Sequence, residues 1–162
     1  MKKELHTRKR NRLSDFNYSD AGYYFITLCT KDSNSYFGRI NVSASGGGLH
    51  HSEIGLKVDE EIKHISSVYK HIYIDKYVIM PNHIHMIVVI TADKNGGRTQ
   101  FAPTISRIIK QFKGSLTKKI GYTIWQKSFY DHIIQSKEEY LQVWKYIDEN
   151  VARWTEDKYY TN

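Results

Sequence analysis

VIMPNHIHMIVVI, residues 78–90, decides how the chain is read. A run this apolar belongs inside a sheet, yet it carries His83 and His85, and imidazoles are costly to bury without partners. Side chains two apart on a strand share a face. His83 and His85 therefore project together, with Ile87 and Val89 behind them, just after the Pro81-Asn82 turn signal. Ile84, Met86, Val88 and Ile90 line the opposite face. Both faces are apolar, so the strand is central and needs a cover on each side.

Working outward, HIYIDKYVIM (71–80) is a strand on the other side of that turn. Ile54, Val58, Ile62, Ile65 and Tyr69 recur at helical spacing before it. AGYYFITLCTK (21–31) reads as a buried strand, YFGRINVS (36–43) as a second, and ASGGGLHHSE (44–53) as a loop or hairpin tip. After the polar loop 91–100, Pro103 is expected in the first turn of a helix. The inner face of that helix is Ile105, Ile108, Ile109, Phe112, Leu116 and Ile120, and Gly121 terminates it. Its outer face carries Arg107, Lys110, Lys113, Lys118 and Lys119. FYDHIIQ (129–135) is a short strand, and Ser136 with Glu139 is a capping box opening a last helix to about residue 153. The order predicts an α+β fold, a ferredoxin-like split βαβ sandwich with an added N-terminal hairpin and a C-terminal helix. Residues 1–162 read as one domain that opens with a basic arm, 1–12.

The chain has 24 Lys+Arg against 17 Asp+Glu, a formal charge of +7, which points towards a polyanion. No apolar run reaches the roughly 18 residues of a membrane-spanning helix. The charged start MKKELHTRKRNR lacks the apolar core of a signal peptide. Cys29 is a lone core-like cysteine. A cytoplasmic protein is the expectation. Thirteen tyrosines either fill β-surfaces or include one with a chemical task.

On a helical wheel Tyr140, Val143, Trp144, Ile147 and Val151 form the apolar stripe of the last helix. Tyr146 falls roughly 120° from its centre and Asn150 about 80° away on the same flank. If this helix covers the histidine face, Tyr146 and Asn150 come towards His83 and His85. Two imidazole nitrogens and an amide oxygen suit a divalent ion with open positions for a phosphate oxygen. Spacing alone leaves the histidine pair open between such a site and hydrogen-bonded structure.

MPNHIHMIVV (80–89) resembles the His-hydrophobic-His motif of HUH endonucleases, specifically the small single-tyrosine, insertion sequence 200-like transposases. WQKSFYDHIIQSKEEYLQVWKYIDENVARW (125–154) and RKRNRLSDFNYSDAGYYFITLCTK (8–31) resemble the REP-associated branch of that family. The resemblance implies an enzyme that cleaves and rejoins single-stranded or hairpin DNA through a covalent 5′-phosphotyrosine. It implies that His83, His85 and Asn150 hold Mg²⁺ or Mn²⁺ and that Tyr146, on the C-terminal helix, is the nucleophile. DNA would be tracked by Arg8, Lys9, Arg10 and Arg12 of the arm and by Arg107, Lys110 and Lys113, placing the protein on the nucleoid. The alternatives are a non-catalytic single-stranded nucleic-acid binder and a phosphoesterase using water. The terminal position of the last helix also leaves open a homodimer that exchanges it.

Overall fold

The computed structural model describes residues 21–41, 48–92 and 103–161. Its elements are β1 (Gly22–Cys29), β2 (Gly38–Asn41), β3 (Gly48–His51), α1 (Glu53–Val68), β4 (Ile72–Ile79), β5 (His83–Ile90), α2 (Ile105–Ile120), β6 (Tyr130–Ile134) and α3 (Lys137–Glu149). The main sheet has the order β4-β5-β1-β6, with every neighbouring pair antiparallel. This interleaving is the ferredoxin-like arrangement that the element order predicts.

All eight residues of β5 are buried, because it is an inner strand covered on both faces. One face joins Tyr24, Ile26 and Leu28 of β1 and Ile84, Met86 and Val88 of β5 to the apolar sides of α1 and α2. The other gathers Ile87, Val89 and Ile134 under Ile147 of α3, with Phe25, Val78, Tyr140 and Val143 at the margin. Burying Ile147 contributes about 1.5–3 kcal/mol, a large share of what holds α3 down. Its N-terminus is fixed by Ser136, whose hydroxyl accepts from the Glu139 amide at 3.1 Å. Glu139 in turn accepts from the Gln135 amide at 2.7 Å.

Several expectations need correcting. The tract 44–53 is not only a loop: 48–51 is β3, paired with β2 in a separate two-stranded sheet. The added hairpin is thus an insertion between β1 and α1 rather than an N-terminal element. Gly38 allows it, since its φ of 147° is left-handed territory and a Cβ there would collide with the His50 carbonyl oxygen. Pro103 lies outside α2; Thr104 is the N-cap, its hydroxyl accepting from the Arg107 amide at 3.2 Å. Gly121 does end α2, at φ 93°.

The last helix stops at Glu149, short of residue 153. A turn follows, then a 3-10 turn at Trp154–Glu156 that carries the chain back towards the sheet. Trp144 is not core. It is 38% exposed, with the Lys76 ammonium 3.8 Å from its ring centre.

Candidate active site

The histidines leave the turn at Pro81-Asn82 already facing α3. Cys29 lies opposite His83 in the β1–β5 register and Thr27 opposite His85. Asn82 is buried, and its amide nitrogen donates to the carbonyl of Tyr159 at 2.8 Å and of Ser33 at 3.3 Å. Carbonyls only accept, so the Asn82 oxygen must be the atom 2.9 Å from His83 Nδ1. That contact requires a hydrogen on Nδ1 and leaves the lone pair of His83 Nε2 pointing into the site. His85 Nδ1 meets the Thr27 hydroxyl at 2.8 Å, which leaves its Nε2 facing the same way.

Around these nitrogens stand Tyr146, Asn150 and Asp157. The Tyr146 hydroxyl is 3.2 Å from His85 Nε2 and 3.4 Å from Asp157 Oδ2. Asn150 is 3% exposed and donates from its amide nitrogen to Asp157 Oδ2 at 3.1 Å, so its oxygen is turned elsewhere. Asp157 Oδ2 also lies 3.9 Å from His83 Nε2. Among the described residues, His83 Nε2 and Asn150 Oδ1 are buried acceptors with no hydrogen-bond partner. Buried lone pairs left in this state are costly. A cation satisfies both, so the residues present fit a divalent metal. One donor atom each from His83, His85 and Asp157 lie within 4.8 Å of one another.

The electrostatics agree with that chemistry. Burial, opposed by Asp157 and Asn150, holds the His83 imidazole below its usual range. Burial, with His83 and Lys158 acting in the same sense, holds His85 well below its usual range. Both rings are therefore neutral near pH 7, the form that ligates metals. Burial first, then the Asp157 charge, pushes the Tyr146 phenol up to about 12. A cavity of about 280 Å³ opens beside Tyr146 between Glu149, Asn150, Arg153, Glu156, Asp157 and Lys158.

The structure thus brings together Tyr146, His83, His85 and Asn150, all from one copy of the chain. The other sequence-derived candidates stand apart. Arg107 and Lys110 are exposed on α2, which covers the opposite face of the sheet from Tyr146. Lys113 is turned inwards, donating to the carbonyls of Gln126 at 2.9 Å and Ser128 at 3.2 Å. Burial lowers its pKa to about 8. Arg8, Lys9, Arg10 and Arg12 lie outside the described residues.

Sequence reasoning missed Asp157 and the orienting pair Asn82 and Thr27. Trp154 was the available signal for Asp157. A large apolar residue just past a helix end must bury itself, and Trp154 does so 6.0 Å from the His83 ring. Among the described residues no helix is long and apolar enough to cross a membrane.

No family model matches the chain. It is 31% identical over 176 residues to an uncharacterized protein of Haemophilus influenzae (strain ATCC 51907 / DSM 11121 / KW20 / Rd), covering 98% of this chain and 96% of that protein. Among solved structures it resembles a REP-associated tyrosine transposase bound to a REP hairpin. The TM-score is 0.62 at 19% identity, over 87% of this chain and 74% of that one. At that identity the likeness establishes a shared fold.

Proposed function

We propose that this chain, which belongs to the same family as the uncharacterized Haemophilus influenzae protein, is a metal-dependent tyrosine transposase that cleaves and rejoins single-stranded or hairpin DNA. The observation that carries this reading is the Tyr146 hydroxyl, 3.2 Å from His85 Nε2 beside two orphaned buried acceptors, His83 Nε2 and Asn150 Oδ1. The fold shared with a transposase bound to a REP hairpin supports the choice of substrate.

In this mechanism His83, His85 and Asn150 would hold Mg²⁺ or Mn²⁺, and Asp157 would add a carboxylate. When bound, the ion polarises the scissile phosphate and offsets the charge of the transition state. Tyr146 must release His85 Nε2 for that nitrogen to serve as a ligand. Its oxygen then attacks phosphorus, forming a phosphotyrosine on the 5′ side while the bond to the 3′ oxygen breaks. Asp157 Oδ2, 3.4 Å from the Tyr146 oxygen, is within reach of its proton, and the departing 3′ oxygen ends as a hydroxyl. Rejoining reverses these steps and needs no nucleotide, because the phosphoester is conserved.

Binding draws on Arg107 and Lys110 of α2 and on Arg8, Lys9, Arg10 and Arg12 of the arm, with Lys113 committed to its two carbonyls. The protein acts in the cytoplasm on nucleoid DNA, and one copy supplies a complete site.

The test is to incubate the protein with labelled hairpin DNA and Mn²⁺, denature it in detergent and look for label that migrates with protein. The expected result is a covalent complex that EDTA or His83→Ala abolishes. Binding without any adduct would favour a non-catalytic binder. Cleavage without adduct would favour a phosphoesterase using water.

A further inference from the structure

Beyond Tyr146 an aromatic row continues to the rim of the sheet. Phe25 of β1 lies 6.1 Å from Tyr146 and 6.3 Å from Tyr130, edge-on to both at 86° and 71°. Tyr130 begins β6, the edge strand, and faces the same side as Thr27, its partner in register. It is 41% exposed and takes no part in either core cluster.

Lys158 accompanies the row. Its ammonium is 5.9 Å from the centre of the Tyr130 ring and 4.8 Å from that of Tyr159. The same residue lines the cavity that opens on Tyr146. The other cation of that cavity, Arg153, is engaged by Glu156 at 3.1 Å and Glu149 at 3.8 Å. Lys158 has no carboxylate within ion-pair reach among the described residues. An exposed ring with a cation over it, one ring away from a nucleophile, offers a π-face and a positive charge at neighbouring points. An unpaired nucleotide presents the complementary base and phosphate.

We propose that Tyr130 and Lys158 form a subsite for the unpaired nucleotide next to the scissile phosphate, with its base stacked on Tyr130 and its phosphate on Lys158. Phe25 props the Tyr130 ring from within the sheet. Stacking of this kind tolerates any base, so the subsite sets where the strand lies and not which sequence is chosen. The inference rests on the transposase reading and deepens it, since it says where the single strand leaves the nucleophile.

The experiment compares two labelled DNA hairpins by fluorescence anisotropy, one with unpaired flanks and one trimmed flush. Tyr130→Ala is expected to weaken binding of the flanked hairpin by about tenfold and to leave the flush one unchanged. Tyr130→Phe, which keeps the ring, restores the flanked affinity to within about twofold. Lys158→Ala lowers the log–log salt slope on the flanked hairpin by about 0.7, the share of one phosphate on a single strand. If Tyr130→Ala binds the flanked hairpin as well as the unaltered protein does, or loses equally on both hairpins, the subsite is overturned while the transposase reading stands. If the unaltered protein binds neither hairpin, that reading falls and takes the subsite with it.

Discussion

Replacing Asn82 with alanine tests whether the metal site is oriented from behind. The Asn82 amide joins two things: its oxygen takes the His83 Nδ1 hydrogen, and its nitrogen holds the Tyr159 and Ser33 carbonyls. Alanine strands a buried imidazole N–H, at a cost of about 1–3 kcal/mol, and removes donors to two carbonyls, at up to about 1 kcal/mol each. The expected loss is about 2–4 kcal/mol, or a fall in Tm of roughly 5–15 °C for a chain of this size. Without the acceptor, His83 is free to change tautomer, and Mn²⁺ affinity should drop about 10- to 100-fold. Asn82→Asp separates the two roles, because it keeps an acceptor for His83 Nδ1 and loses the donor to the Tyr159 carbonyl. It should recover most of the metal affinity while remaining less stable than the parent. Thermal melts and Mn²⁺ titration followed by electron paramagnetic resonance measure both quantities. Undiminished Mn²⁺ affinity in Asn82→Ala would refute the orienting role.

Lys113→Ala should cost about 1–2 kcal/mol in urea unfolding, because it strips the donor from two carbonyls, and should barely change the salt dependence of DNA binding. Arg107→Ala and Lys110→Ala should do the reverse, each lowering the salt slope by about 0.7–0.9 with no stability loss. Gly121→Ala should cost about 1–2 kcal/mol by equilibrium unfolding, all of it backbone strain at φ 93°, since a Cβ there meets nothing within 4 Å. Acid should destabilise the fold through the histidines. Their folded pKa values are depressed, so the unfolded chain binds protons first. Stability is full above about pH 6.5 and is lost as pH falls through the lower folded values. Urea midpoints measured across pH 7.5 to 4.5 should fall less steeply for His83→Gln than for the parent; parallel curves would contradict the assignment.

The sheet and the position of α3 were legible because both rest on simple periods. Alternation put His83, His85, Ile87 and Val89 on one face, and the helical wheel set Tyr146 and Asn150 on the flank that reaches them. β3 escaped notice because GLHH, after a glycine-rich tract, has neither alternation nor length. Asp157 escaped because TEDKYYTN is polar and aperiodic, and only burial of Trp154 brings it over the histidines. Asn82 looked like a turn residue, which it is. Its second task depends on the Tyr159 carbonyl, 77 residues away in the chain. Lys113 sat on the charged side of its helix, yet its stem is long enough to turn back to the Gln126 and Ser128 carbonyls.

Whether Tyr146 is the nucleophile is answered by a DNA-linked peptide, without inference from rates. Protein is reacted with hairpin DNA and Mn²⁺, denatured, trimmed with nuclease and protease, and the nucleotide-bearing peptide is sequenced by mass spectrometry. A phosphodiester-linked nucleotide is expected on Tyr146, within YLQVWKYIDEN (140–150), with no adduct from Tyr146→Phe. A nucleotide on Tyr130, Tyr159 or any other residue, or an undiminished yield from Tyr146→Phe, would contradict it.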